Sequence, residues 1–122
     1  MPDVLGVGLD VERAGAVSSN VLRLISTEDD FEMKPQHWPE SVWRTALFSA
    51  KEAVFKAVFP RTRRFLDFRD VCIRFQEDEQ FIVSAVAPWA ASLGLEALQG
   101  SVRISKSYVI TGVVWSNAIR EN

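Results

Sequence analysis

At 122 residues the chain suits one domain rather than two, and its composition, about half hydrophobic and a quarter charged, is that of a folded globular protein. Fourteen basic against sixteen acidic side chains leave a formal charge of −2, so no global field draws it to nucleic acid or to an anionic membrane. The single cysteine, Cys72, excludes an intramolecular disulfide and reads as a small buried hydrophobe. No segment reaches the roughly 20 apolar residues of a membrane span, and no basic-then-apolar leader opens the chain, so a cytoplasmic setting is expected.

Taken in chain order, residues 3–12 alternate with period two and predict a strand. Leu5, Val7, Leu9 and Val11 supply its apolar face, so the other face, with Asp10 and Glu12, is expected on the wetter side. Ser18 or Ser19 caps a predicted short helix carrying Val21, Leu22, Leu24 and Ile25. A second helix start follows at Ser26 to Asp30, and Pro35 and Pro39 keep what comes next short, with His37 as a loop residue between them. The best helix spans residues 40–59 and is expected to stop at Pro60. Its apolar stripe runs from Val42 and Trp43 through Ala46, Leu47, Ala50, Ala53, Val54, Ala57 and Val58. A basic segment, Pro60 to Arg69, leads into two strands near 70–76 and 80–87, joined as a hairpin through Glu77 to Glu79. Residues 88–98 suit a short helix, and the ending from Ser101 suits one or two more strands. Helices early and strands late predict an α+β domain over 1–122, a small antiparallel sheet with one long and one or more short helices.

Chemistry concentrates at two places. In the strand, Asp10 and Glu12 project to one face roughly 7 Å apart; the pair reads either as a solvated strand edge or as oxygen ligands for a hard ion such as Mg²⁺. On the long helix, Thr45, Ser49, Glu52 and Lys56 share a face away from the apolar stripe, at 100° per residue. Glu52 and Lys56 form an i,i+4 pair in the favourable order. Phe48 and Phe55 flank that face, outside the stripe, which predicts that something packs on them.

The segments GVGLDVE and, some forty residues on, FSAKEAVFKAVFP together resemble the 4′-phosphopantetheinyl transferases, which carry a Gly-x-Asp-x-Glu strand and a Lys-Glu-Ala-x-x-x-Lys helix. The continuation PRTRRFLDFRDV is similar to the siderophore-synthase branch, of the enterobactin synthetase component D type. The resemblance implies Asp10, Glu12 and Glu52 as Mg²⁺ ligands, Lys51 and Lys56 facing the phosphates of coenzyme A, and Glu52 and Lys56 as catalytic groups. The implied reaction transfers phosphopantetheine from coenzyme A to a serine of an apo acyl or peptidyl carrier protein. Two-half members of the family are matched here only in their second half, which implies self-association or a complementary half-domain. The alternative is a non-catalytic or incomplete half-domain that binds Mg²⁺, coenzyme A or a carrier protein and needs a partner subunit. The segment Pro60 to Arg69, mixing arginines with aromatics, reads as a plain basic loop, a carrier-protein docking patch or a single-strand nucleic-acid binder; no nucleic-acid or membrane partner is expected.

Overall fold

A computed structural model describes residues 3–117. Five strands, β1 (Val4–Arg13), β2 (Val71–Gln76), β3 (Gln80–Ala85), β4 (Leu98–Ile104) and β5 (Tyr108–Ser116), form one antiparallel sheet in the order β1-β5-β4-β3-β2. Helices α1 (Ser19–Ile25), α2 (Glu28–Glu32) and α3 (Glu40–Thr62) come before β2, and the short helix expected near 88–98 is present as two 3₁₀ helices, Pro88–Leu93 and Leu95–Ala97. The α+β expectation holds, and the ending is two strands.

Local chemistry explains the short helices. Ser18 accepts a hydrogen bond from the Val21 amide to start α1, and Thr27 and Asp30 exchange a capping box at α2. Pro60 does not stop α3. It sits in the last turn, and the helix ends three residues later where Arg63 takes a left-handed conformation (φ 58°) and donates its N–H to the Phe59 carbonyl.

The packing of α3 on the sheet reverses the face expected for β1. Val7, Leu9 and Val11 are exposed, Leu9 at 63%, and only Leu5, beside a register shift, packs against the core. The face turned to α3 is Gly6, Gly8, Asp10 and Glu12. A Cβ at Gly6 would collide with the Ala57 carbonyl oxygen, and one at Gly8 with that of Ala53. Two residues along a strand and four along a helix are both steps of about 6–7 Å, so strand and helix run antiparallel with the glycines as a track. The apolar residues lost this contest because closeness of backbones, not side-chain bulk, sets the contact.

The same packing corrects the helix. Trp43, Ala46, Leu47, Ala50, Ala53, Val54, Ala57 and Val58 are buried as expected, yet Thr45 and Ser49 are buried too. Ser49 Oγ lies 2.8 Å from Thr111 Oγ1, and the Thr111 hydroxyl reaches the Ser49 carbonyl at 2.9 Å. The Ser49 hydroxyl faces the sheet because its partner is there, whereas the Thr45 hydroxyl donates back to the Ser41 carbonyl within α3. Cys72 is buried as expected, and burial pushes its thiol above the usual range.

Candidate active site

Asp10 is the hinge of the site. It lies opposite Thr111 on the neighbouring strand, one step beyond Gly8 on the track beneath α3, and is buried. Lys56, whose side chain is 52% exposed, reaches down from α3 and donates to Asp10 Oδ1 at 3.2 Å and to the Leu9 carbonyl at 3.0 Å. Asp10 Oδ2 is buried and accepts no hydrogen bond. A buried carboxylate oxygen without a partner is costly in a folded protein, so it marks a place where a cation or donor fits.

Glu12 and Glu52 share this environment. The Glu12 carboxyl is pushed up to about 7 by burial first, then by the neighbouring Asp10 and Glu52 carboxyls, with Lys56 opposing. Glu52 is also raised, by burial and by Asp10, again against Lys56. Three carboxyl groups from β1 and α3 therefore feel one another with a single lysine among them. Their all-oxygen donor set suits a hard divalent cation. Still, no three His, Cys, Asp or Glu side chains among the described residues are drawn into a cluster able to hold a metal ion as they stand. The expected three-carboxylate cradle is thus a shared field rather than a closed coordination shell. Lys56 already occupies one Asp10 oxygen.

Lys51 is elsewhere, and its expected contact with coenzyme A phosphates is corrected. Its ammonium is fully buried, 2.7 Å from Asp30 Oδ2, the Ile25 carbonyl and the Phe68 carbonyl, and 2.9 Å from the Val71 carbonyl. Asp30 is buried as well and accepts from the Thr27 amide and hydroxyl and from the Ile73 amide. The pair ties α1, α2, α3 and β2 at one point. Burial pulls the Lys51 ammonium below its ordinary value, and Asp30 opposes that pull. Five residues separate Lys51 from Lys56, which is 140° around a helix, so the two lysines cannot serve one ligand. From sequence Asp30 reads only as part of a helix start; its position three residues after Thr27, a reciprocal cap, is the signal that its carboxylate is held in place.

Phe48 and Phe55 also find their partner within the chain. Both pack on Phe68, Phe48 stacked at 5.5 Å and Phe55 edge-on at 5.0 Å between centroids. The face left bare is on the other side of the sheet. Val7, Leu9 and Val11 of β1 and Tyr108, Ile110 and Val114 of β5 form a contiguous exposed apolar surface.

A buried Asp10 carried on a glycine-bearing strand, with Glu52 and Lys56 one turn apart on α3, makes a two-element site of acidic and basic side chains. The profile of the 4′-phosphopantetheinyl transferase superfamily matches residues 6–112, and the chain belongs to that superfamily. It is 32% identical over 119 residues to the 4′-phosphopantetheinyl transferase PptT of Mycobacterium tuberculosis, covering 91% of this chain and 52% of that protein. The chain spans about half the length of the curated relatives it matches. In fold it is similar to the holo-[acyl-carrier-protein] synthase of Neisseria meningitidis (TM-score 0.75, 20% identity, 95% of this chain and 100% of that one). It is likewise similar to the Helicobacter pylori synthase solved in complex with coenzyme A (TM-score 0.67, 17% identity, 91% and 99%). No helix among the described residues is long and apolar enough to cross a membrane.

Proposed function

We propose that this chain, as a single phosphopantetheinyl transferase-like domain over 1–122, transfers 4′-phosphopantetheine from coenzyme A to a serine hydroxyl of an apo acyl or peptidyl carrier protein. Adenosine 3′,5′-bisphosphate is the leaving product. The observation that carries the reading is Asp10: a buried carboxylate with one oxygen held by Lys56 and the other orphaned, beside Glu12 and Glu52. Asp10, Glu12 and Glu52 would hold Mg²⁺, and the ion supplies charge to the pyrophosphate oxygens. Lys56 offsets negative charge on the transferring phosphoryl group from its half-exposed position. Glu52, its carboxyl raised by burial and by the charge of Asp10, accepts the serine proton, directly or through water. A cytoplasmic setting goes with this reading.

The exposed apolar surface of β1 and β5 supports a second element of the proposal, self-association or a complementary half-domain seated there. The alternative, a non-catalytic or incomplete half-domain that binds Mg²⁺, coenzyme A or carrier and needs a partner subunit, draws on the same surface. Incubating the full chain with coenzyme A, Mg²⁺ and an apo carrier protein, then weighing the carrier by mass spectrometry, tests both. A mass gain of one phosphopantetheine group supports the transferase. An unchanged carrier beside a folded chain that binds coenzyme A favours the incomplete half-domain. Native mass with and without coenzyme A then reports whether a second half is supplied by another copy.

A further inference from the structure

The basic segment after α3 is not a plain loop. Glu52, Lys56, Phe59 and Arg63 succeed one another at steps of four, three and four residues, so they share one face of α3 and of its left-handed cap. The candidate site therefore runs on without a break toward the end of the helix, and Arg63 lies about 10 Å beyond Lys56 along the axis. There the side chains are built into a scaffold. Phe65, 81% exposed, stacks on Phe59 at 4.4 Å and 21°. The Arg63 guanidinium lies over the Phe59 ring at 5.6 Å, and that of Arg64 lies over Trp89 at 4.1 Å. Among the described residues, no carboxylate comes within ion-pair distance of Arg61, Arg63 or Arg64.

We infer that this patch is the docking surface for the acidic carrier protein whose serine the site modifies, an inference that rests on the transferase reading. Arginines seated over rings lose little side-chain freedom when they pair, and an exposed aromatic beside arginines is the composition of an interface anchor. Their charge is local in a chain of net charge −2, so the attraction is directed to this end of α3. An acidic helical protein fits better than a nucleic acid. A polyphosphate strand needs a track of positive charge, whereas here the arginines are bounded by exposed Asp67 and, further on, by Asp70. Phe65 enters an apolar gap on the partner, and the arginines take its carboxylates.

The test titrates a fluorescently labelled apo acyl carrier protein with the full chain, at low and at high ionic strength, and measures coenzyme A binding by calorimetry with Mg²⁺ in parallel. The double change Arg63→Glu with Arg64→Glu is expected to weaken carrier binding by about tenfold or more, and Phe65→Ser by a similar factor. Coenzyme A affinity and the circular-dichroism spectrum stay as in the parent. Changing acidic residues of the carrier to lysine is expected to restore binding to the double variant. Equal carrier affinity in parent and variants, with coenzyme A still bound, overturns the docking surface and leaves the transferase reading standing. Tighter binding of a uridine oligonucleotide than of the carrier, or a native mass altered by the double change in the chain alone, also overturns it. A parent that binds carrier through the patch but never coenzyme A sinks the transferase reading instead.

Discussion

Lys51 and Lys56 lie five residues apart on α3 in the same motif, yet their surroundings are opposites. Lys51 sits at the centre of a closed cage, with four oxygens about its ammonium and every oxygen of Asp30 in use. Lys56 stands at the mouth of an open one, with three carboxyl groups competing for it and Asp10 Oδ2 left without a partner. A satisfied buried pair holds a structure together; an unsatisfied, half-open cluster is free to bind. The comparison teaches that the chemistry of a lysine in a motif follows from how completely its neighbours spend their hydrogen-bonding capacity.

The sharpest way to break the comparison is to cut the closed cage. Asp30→Ala leaves a buried ammonium without its counter-charge and is expected to cost about 3–5 kcal/mol of folding stability, read by urea unfolding. A cost well below 1 kcal/mol would mean that the cage contributes little. In the open cluster the effect moves from stability to turnover. Asp10→Asn is expected to lower transfer activity by about 10²- to 10³-fold, measured by carrier mass, while the midpoint of unfolding stays near that of the parent. Full activity in that variant would remove Asp10 from the site.

A smaller effect tests the crowding of the carboxylates. The Glu12 carboxyl is raised from 4.5 to about 7, so between those values the folded chain binds more protons than the unfolded one. Its contribution is fully present below 4.5 and is lost as pH rises through about 7. With divalent cations chelated, Glu12→Gln is expected to flatten that part of the melting-temperature profile. Mg²⁺ is expected to raise the melting temperature more above this window than below it, because ligation requires the deprotonated carboxylates. An identical Mg²⁺ effect at both ends would argue against these ligands.

The smallest expected change is Lys56→Ala in stability, within about 1 kcal/mol, since a half-exposed ion pair contributes little. Its effect on transfer is expected to be much larger than that. If unfolding instead shifts as far as it does for Asp30→Ala, the two lysines are not distinct in kind.

Much of the fold was legible because its signals are local. Alternation marked β1, the stripe from Trp43 to Val58 marked α3, and Ser18 or Ser19 and the run from Ser26 to Asp30 announced helix starts, through caps that need only three residues of chain. Pro60 misled by three residues, since a proline in the last turn removes a hydrogen bond without forcing the chain out of the helix. That Asp10, Glu12, Glu52 and Lys56 would be neighbours was legible through the likeness to a motif pair. The cage was not, because Lys51 meets Asp30 and the Phe68 and Val71 carbonyls only after the sheet has formed.

By itself the sequence determined the elements, the stripe that α3 buries and the residue types that a hard cation or a phosphate would meet. Only the tertiary structure decided which face of β1 turns inward. Periodicity tells that two faces differ, but not which one will be pressed against a helix. Gly6 and Gly8 admit the α3 backbone where leucine and valine would hold it off, and that approach carries Asp10 beneath Lys56 while leaving Val7, Leu9 and Val11 to the outside.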